Sequence, residues 1–546
     1  MMTGTSTRHV RPTSLQTAPP SAPYDDWARR LLGRPLVITL AVLALVQLTQ
    51  WVPHYLTWPL FPDHDVFATA AQAWDAGERP YRDFHTNNFP GAIYVFWGVG
   101  KVFGWGQSTA VYALDALFLL AFGGATIAWS RKCVSDWRPG LIAYLAWLSF
   151  YLDLDYSLTA QRDWHAAGLA VMAIMLAQSV PQRWGRLGSA LLLAMAATVR
   201  PQVGLFLPAW WLALGDATEK LSERKALFHR LAWTLVLAGL FILLLAPLLL
   251  QGLVGDFLER LRLVALGGEY SKTSLKSIRD ELLREALKFE YWLVALPLAL
   301  QTTRLEPARR HLVWVWLLAF AGVVLYKPVS PVPHAYLIQP LTIVWALLMG
   351  LLAWVVLHWR PAVPTLQLTA VALLIALQIT GRPRFCNWER TWEAPGVLAS
   401  GTEGEREPMG VEFSPWFKQG ATYKWRDYRD LLAYLREHTS ETTRVANVLR
   451  GYPAINSATG RLPAFPAESI AWCLLIRPED EGPFAQALEA HEDSVVVWAP
   501  SEVGVRSRFD LLEMAPAIER LYQPETKFGP FEVWRRKPKD ASAGPG

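Results

Sequence analysis

The chain has 546 residues, of which 52% are hydrophobic and 18% are charged, and its formal net charge is +5. The charged fraction lies below the roughly 25% of soluble domains, and charge-free runs near the roughly 20 residues that cross a bilayer recur along the chain. A soluble globular protein is therefore excluded. The basic residues form short clusters between apolar runs, as in cytoplasmic loops, which argues against nucleic acid as a partner. The longest charge-free runs are 35–62, 164–182, 231–255, 328–359 and 361–381.

The basic clusters predict how the chain is oriented in the membrane. Residues 1–23 are rich in Thr, Ser and Pro, and a disordered segment is predicted over 1–30. Arg29, Arg30 and Arg34 precede the first apolar run and place this segment in the cytoplasm. With eleven spans, every later basic cluster between spans lies on the cytoplasmic side and the C-terminus lies outside. The sequence therefore predicts a multi-pass α-helical protein of the inner (plasma) membrane, surrounded by membrane lipid.

Two main domains are predicted in chain order. A membrane domain occupies 31–381, and a small extracytoplasmic α/β domain occupies 382–546, where the composition becomes that of a soluble protein. In the second domain, "RDYRDLLAYLREH" predicts an amphipathic helix, whereas "SVVVWAP" predicts a buried strand and "PFEVWRR" a late edge strand. Cys386 and Cys473 fall in this domain, where a disulfide and two free thiols both remain open. External loops of the membrane domain are predicted at 53–90, 153–163 and 252–290.

Two acids follow the first apolar run directly, in the motif "DHD" at Asp63–Asp65. Carboxylates at the end of a membrane helix cost little when they are solvated. One interpretation is therefore a hydrated helix end, in which Asp65 caps the helix of "VFATAAQAWDAG". The other interpretation is that these acids perform chemistry at the outer surface of the membrane.

The residues after this motif carry a resemblance to a known superfamily. "PYRDF" and "NNFPG" follow the acids, and the arrangement resembles the first external loop of GT-C glycosyltransferases. That superfamily includes protein O-mannosyltransferases, lipid A aminoarabinose transferases and RgtA/B/C/D-like enzymes. Later segments resemble it too, namely "AQRDWHAAGLA" with Asp163, "TVRPQVGLFLPAW" with Arg200, and "PVSPVPHAYLIQPL" with His334 and Tyr336.

The sequence departs from the pattern of these relatives at two places. His64 follows Asp63 where the relatives usually carry an acid, and Asn88 stands near a lysine of the aminoarabinose-transferase type. These departures bear on the identity of the donor and on any use of a metal ion.

The resemblance implies the GT-C fold and a sugar donor linked to polyprenyl phosphate. A hexosyl or pentosyl group would pass, with inversion, to a hydroxyl of a lipid, glycan or protein acceptor at the cell envelope, as in mannosyltransferases. A carboxylate suits the role of general base, with Asp63 as the first candidate, Asp65 as the second, and Asp163 as a further external acid. Cations would stabilise the leaving phosphate. The candidate substrate-binding residues are Arg82, Asn88, Arg162, Arg200, Lys327, His334 and Tyr336.

Each candidate also has a structural interpretation. Arg82 would pair with the adjacent Asp83, and Arg162 with the adjacent Asp163. A bare arginine between apolar runs is costly, so Arg200 is expected in a functional role or a buried pair.

Three further residues have structural interpretations of the same kind. Lys327 would mark a helix end, and His334 and Tyr336 would anchor the membrane interface. Asp115, inside the second span, is expected to pair internally.

Cofactors and other functions remain open at this stage. No Cys/His spacing of the metal-binding type occurs, and no obligatory cofactor is expected. An Asp-x-Asp motif nevertheless leaves a divalent cation as an alternative. A transporter or flippase of lipid-linked saccharides would favour deep polar residues in several helices and internal repeats. A membrane assembly protein without catalytic activity would have acids that can be replaced.

Overall fold

The computed structural model describes most of the chain, and it is largely helical. The predicted contacts of His334 and the pairing of Cys386 with Cys473 lie outside the described residues. The described residues are 23–154, 158–215, 223–266, 275–286, 288–330, 335–358, 364–379, 388–400, 409–410, 422–423, 425–449, 454–467, 474, 478–499 and 511–538.

The helices of the first half follow one another closely, and several begin with proline in the first turn, where its missing N–H costs nothing. They are α1 (Pro23–Leu31), α2 (Arg34–Tyr55), α3 (Pro62–Asp75), α4 (Pro90–Phe103), α5 (Ser108–Val134), α6 (Arg138–Tyr151), α7 (Arg162–Ser179), α8 (Arg183–Val199), α9 (Leu207–Ala213), α10 (Glu223–Leu244) and α11 (Ala246–Leu250). A 3-10 helix, Pro201–Phe206, connects α8 to α9.

The second half contains the remaining helices and all the described strands. The helices are α12 (Val254–Leu266), α13 (Leu275–Ala286), α14 (Phe289–Gln301), α15 (Pro307–Val324), α16 (Gln339–His358), α17 (Pro364–Ile379), α18 (Trp388–Ser400), α19 (Trp425–His438), α20 (Asn456–Thr459), α21 (Glu481–Ala490) and α22 (Met514–Leu521). The strands are β1 (Met409–Gly410), β2 (Thr422–Tyr423), β3 (Arg444–Asn447), β4 (Ser494–Trp498), β5 (Tyr522–Phe528) and β6 (Phe531–Arg536).

The membrane part is built around α16, which is apolar on all sides and packs against α6, α7, α14 and α15. A helix without a polar face belongs in the interior of a bundle. In the described part of the chain, four helices are long and apolar enough to cross a membrane: Arg34–Tyr55, Ser108–Val134, Arg224–Leu244 and Tyr336–His358. Helices lie at the other predicted spans as well, but they are shorter, and the count of eleven spans stays a prediction.

The C-terminal residues form a four-stranded sheet of order β3-β4-β6-β5, in which only the β3–β4 pair is parallel. The two faces of β4 lie in two different hydrophobic cores. Val495 and Val497 pack with α19 on one face, and Val496 and Trp498 pack with α21 and α22 on the other. The buried strand predicted from "SVVVWAP" is confirmed as β4. We call the segments 425–449, 454–467, 478–499 and 511–538 the C-terminal unit.

The prediction that "PFEVWRR" is an edge strand is wrong. It forms β6, which lies between β4 and β5 in the sheet. The edge on this side is β5, whose register is interrupted next to Pro524. Proline cannot donate a ladder hydrogen bond and is tolerated mainly at edges and bulges, so β5 rather than β6 suits the edge.

The C-terminal unit packs on α3 and the loop that follows it. The Gln72 amide donates to the Gly460 carbonyl oxygen at 2.7 Å, and the His85 backbone N–H donates to the Pro466 carbonyl oxygen at 2.7 Å. Phe67 of α3 also lies in the hydrophobic core that this unit forms below β4. The helix that carries the first two candidate acids is therefore held from the side of the C-terminal unit.

Candidate active site

The acid motif lies in the first turn of α3. Phe61 is the extended N-cap residue and Pro62 begins the helix, so the interpretation of Asp65 as a helix cap is wrong. The helix begins with proline at Pro62, three residues before Asp65, so Asp65 lies inside the helix and cannot be its N-cap residue. Asp63 and Asp65 instead face the positive end of the helix dipole, which favours negative charge in the first turn.

Asp63 lies among charged groups contributed by two other helices. The Gln161 side chain donates a hydrogen bond to its carboxylate, and Arg162, Arg200 and Asp163 are close enough to act on it electrostatically. Burial raises the pKa of the Asp63 carboxyl, while the two arginines oppose that rise. The carboxylate is therefore a stronger base than one in water, in a setting that is positively charged.

Asp163 and Arg200 form a buried ion pair next to Asp63. The Arg200 Nη2 atom lies 2.7 Å from Asp163 Oδ2, and the Asp163 side chain is fully buried. The Tyr326 hydroxyl donates to the other carboxylate oxygen of Asp163 at 3.1 Å. Asp163 comes from the first turn of α7, and Arg200 stands between α8 and the 3-10 helix, so the pair joins the ends of neighbouring helices.

Arg162 has partners different from those expected. Its guanidinium donates to the Asn88 side-chain oxygen and lies over the Phe67 ring, 4.8 Å from the ring centre. The adjacent Asp163 pairs with Arg200 instead, so the expected pairing of Arg162 with Asp163 is wrong. Asn88 thus joins the site through Arg162.

Tyr336 also belongs to this group. It lies within the range of electrostatic interaction of Asp63, Arg162 and Arg200, and it is buried. The structure therefore brings together six of the residues predicted from the sequence, namely Asp63, Asn88, Arg162, Asp163, Arg200 and Tyr336.

Two predicted phosphate-binding cations form ion pairs with residues of the segment between α11 and α14. Arg82 lies 2.7 Å from Asp256 and donates to the Gly252 carbonyl oxygen at 2.8 Å, rather than pairing with Asp83. Lys327 lies 2.7 Å from Glu281 of α13. Both cations therefore connect this segment to its neighbours.

Asp65, the second candidate base, lies against the C-terminal unit. Its Oδ1 atom accepts the backbone N–H of Ser457 at 2.9 Å and the Thr69 hydroxyl at 3.3 Å. Burial raises the pKa of this carboxyl to about 6. Its hydrogen bonds are those of a group that holds α20 against α3.

Two residues in the site, Tyr326 and Gln161, did not attract attention in the sequence, and His64 was noticed only as a departure from the pattern of the relatives. Tyr326 closes an apolar run and Gln161 precedes the conspicuous Arg162, so neither gave a signal of its own. His64 is fully buried, its Nε2 atom lies 3.2 Å from the Ala160 carbonyl oxygen, and burial lowers its pKa to about 4. It is therefore a neutral residue that contacts the loop before α7.

Metal-binding side chains do not cluster in the described part of the chain. No group of three or more His, Cys, Asp or Glu residues there is arranged to hold an ion. Around Asp63 the neighbouring charges include two arginines. The prediction that no divalent cation is obligatory stays a prediction.

Comparison with solved structures connects this geometry to a known fold. The chain is similar to the crystal structure of ArnT from Cupriavidus metallidurans bound to undecaprenyl phosphate, with a TM-score of 0.53 and 12% sequence identity. The similarity covers 92% of this chain and 98% of ArnT. The chain has the GT-C fold. No family model and no curated protein matches the sequence.

The GT-C fold confirms the architecture expected from the resemblance of the sequence. Because the similarity covers nearly the whole of both chains, it includes the helical membrane part as well as C-terminal residues. With the apolar helices described above, it makes this chain an integral membrane protein.

Proposed function

We propose that this protein is a membrane glycosyltransferase that moves a sugar from a polyprenyl-phosphate-linked donor to an acceptor hydroxyl. The observation that carries the proposal is the position of Asp63, a carboxylate with a raised pKa beside Arg162 and Arg200. It lies just beyond the end of the first membrane helix. The similar fold of ArnT, crystallised with undecaprenyl phosphate, supports a lipid phosphate as the donor carrier.

The proposed reaction is a direct displacement at the anomeric carbon. The acceptor oxygen attacks this carbon and forms the new glycosidic bond, while its proton passes to the Asp63 carboxylate. The bond between the anomeric carbon and the phosphate oxygen breaks, and the electron pair leaves with the polyprenyl phosphate. A single displacement inverts the anomeric configuration. The raised pKa suits Asp63 to accept the proton.

The two arginines have different roles in this proposal. Arg200 forms a buried pair with Asp163, which balances its charge. Arg162 donates to the neutral amide of Asn88, and its guanidinium forms no direct ion pair among the described residues, although Asp63 and Asp163 act on it electrostatically. A guanidinium can hold two phosphate oxygens at once. Arg162 is therefore the main partner of the leaving phosphate, and Arg200 holds Asp163 and adds to the positive potential around Asp63.

The orientation predicted from the basic clusters completes the proposal. The N-terminus lies in the cytoplasm, and Asp63 and the C-terminal unit lie on the outer face of the inner membrane. The lipid tail of the donor stays in the bilayer while its phosphosugar reaches Asp63 at the surface. A hydroxyl of a lipid, a glycan or a protein reaches the same place from outside.

The test is transfer from radiolabelled polyprenyl-phosphate sugars in membranes with equal amounts of wild type, Asp63→Asn or Asp83→Asn. The matched control removes an acid of the same external loop that pairs with Arg79 at 2.6 Å. General-base catalysis contributes about 100- to 10,000-fold. We expect Asp63→Asn to lose at least 100-fold in transfer rate and Asp83→Asn to stay within about threefold of wild type.

Two results would count against the proposal. Equal transfer by wild type and Asp63→Asn would remove Asp63 as the base. Movement of labelled lipid across the bilayer, with the sugar still attached and no transfer product from any donor, would favour a transporter.

A further inference from the structure

Asp115 is a buried carboxyl group that the proposed reaction does not use. It lies in α5, a helix long enough to span the membrane, and is 1% exposed. It accepts hydrogen bonds from three side chains: the Tyr151 hydroxyl at 2.5 Å, the Trp164 indole N–H at 2.8 Å and the His165 Nε2 atom at 2.6 Å. An acidic residue inside a membrane helix is costly and usually has a function beyond packing.

The first of these partners connects Asp115 to the loop before α7. The Tyr151 oxygen accepts the backbone N–H of Ala160 at 2.8 Å, so the chain of bonds runs from Ala160 through Tyr151 to Asp115. Ala160 has φ +52°, in the left-handed region that alanine rarely adopts. The Ala160 carbonyl oxygen lies 3.2 Å from His64 Nε2. The unusual turn is therefore held at both its N–H and its carbonyl group.

The other two partners of Asp115, Trp164 and His165, come directly after the residues of this loop that lie near Asp63. The loop continues from Ala160 into Gln161, Arg162 and Asp163, and Trp164 and His165 follow directly in α7. Asp115 thus makes hydrogen bonds, directly or through Tyr151, just before and just after these three residues.

We propose that Asp115 is a positioning residue, which sets the first turn of α7 so that Arg162 and Asp163 meet Asp63. This role in catalysis rests on the function proposed above. The competing explanation is that the Asp115 bonds only fasten α5 and α6 to α7. In that case their loss would lower stability and leave the rate per folded molecule unchanged.

The chain offers a matched pair of substitutions in α6. Tyr151→Phe removes the hydroxyl that connects Ala160 to Asp115 and leaves the Trp164 and His165 bonds in place. Tyr144→Phe removes a hydroxyl that is also buried in α6 but has no hydrogen-bond partner among the described residues. Both changes keep the aromatic ring, so packing is similar and only the hydrogen bond differs.

The experiment measures two quantities in the full-length protein. The first is the rate of sugar transfer from radiolabelled polyprenyl-phosphate sugars, separated into kcat and KM per folded molecule. The second is hydrogen exchange of backbone amides in peptides that cover residues 158–165. A misplacement of about 1 Å can cost on the order of 100-fold in rate. We expect Tyr151→Phe to lower kcat at least tenfold, to change KM less than about threefold and to speed exchange at least tenfold, whereas Tyr144→Phe changes none of these.

Two outcomes would overturn the inference. Unchanged kcat in Tyr151→Phe, with only a lower thermal midpoint, would assign the network to stability alone. Unchanged exchange in residues 158–165 would show that the bond does not hold the turn. If the wild type transfers no sugar, the proposed function fails, and the exchange comparison between the two variants still decides whether the network fixes this turn.

Discussion

His64 and Asp65 are neighbours in α3 whose pKa values are shifted in opposite directions by the same cause. Burial lowers the pKa of His64 from 6.5 to about 4 and raises the pKa of Asp65 from 3.8 to about 6. A shift of one pKa unit corresponds to about 1.4 kcal/mol. Each of these buried groups therefore changes the free energy of unfolding by about 3 kcal/mol across its own pH range.

The two contributions have opposite signs. From pH 6.5 down to about 4, unfolded His64 binds a proton that the folded residue does not, so its contribution to stability is lost as the pH falls. From pH 3.8 up to about 6, folded Asp65 keeps a proton that the unfolded residue has lost, so stability falls as the pH rises. In the wild type, the two effects oppose each other over most of the same range.

Single substitutions are expected to expose each effect. In Asp65→Asn, only the shifted pKa of His64 remains, so the free energy of unfolding should rise by about 3 kcal/mol from pH 4 to pH 6.5. This rise is measured relative to the change that the double variant His64→Gln/Asp65→Asn shows over the same pH range. In His64→Gln, the aspartate acts alone, and the free energy should fall by about 3 kcal/mol between pH 4 and pH 6.

The assay is chemical unfolding of the purified protein in detergent at several pH values from 4 to 7. The double variant His64→Gln/Asp65→Asn serves as the control, because it removes both groups and should return close to the slope of the wild type. Parallel curves for the two single variants would refute the reasoning, since the groups would then not titrate with opposite shifts.

Three further predictions concern rate and stability. Because the pKa of Asp63 is raised, transfer activity should fall as the pH drops through that raised value, and a pH–rate profile should show the acid limb above pH 3.8. Arg200→Gln removes the cation of a buried ion pair and should cost about 3–5 kcal/mol in unfolding free energy, whereas Arg79→Gln, in an exposed pair, should change the free energy of unfolding far less. Gly106 and Gly77 both have positive φ, +78° and +96°, but only at Gly106 would an added Cβ meet the α20 backbone, at 2.5 Å. Gly106→Ala should therefore lower the thermal midpoint more than Gly77→Ala, and equal midpoints would contradict the contact.

Composition and periodicity predicted that apolar helices occur along the membrane part, but they did not predict the residue at which each helix ends. The charge-free run 35–62 has no polar break that marks the end of its helix, yet α2 ends at Tyr55 and α3 begins at Pro62. Hydrophobicity counts apolar side chains and does not detect the turn that separates two apolar helices. Likewise, "PFEVWRR" was recognisable as a strand, but its place in the sheet depends on β5, which pairs with it only in three dimensions.

Six residues of the candidate site could be predicted from the resemblance, but Gln161, Tyr326 and the pairing among the residues could not. Adjacent residues on a helix lie about 100° apart and do not face each other. This explains why Arg162 and Asp163 have different partners. Asp63 and Asp65, two positions apart, lie about 200° apart around α3 by the same rule. One therefore lies beside the arginines and the other meets the C-terminal unit.

Adjacent charges also have different partners in the loop that follows α3. The Asp83 backbone N–H donates to the Arg79 carbonyl oxygen at 2.9 Å, and this turn brings the two side chains within 2.6 Å of each other. Arg82 lies 2.7 Å from Asp256 instead of pairing with the acid next to it. Adjacency in the sequence therefore did not predict the partners of either Arg82 or Arg162.

The hydrogen bond between Asp65 and Ser457 also has a consequence for the order of synthesis. The two residues are 392 positions apart in the chain. A ribosome therefore completes α3 long before it makes the segment that covers it, and domains generally fold in the order in which they are made. The helix that carries Asp63 and Asp65 therefore has no contact with Ser457 until the last part of the chain has been made. A chain that stops before α20 would lack this hydrogen bond altogether.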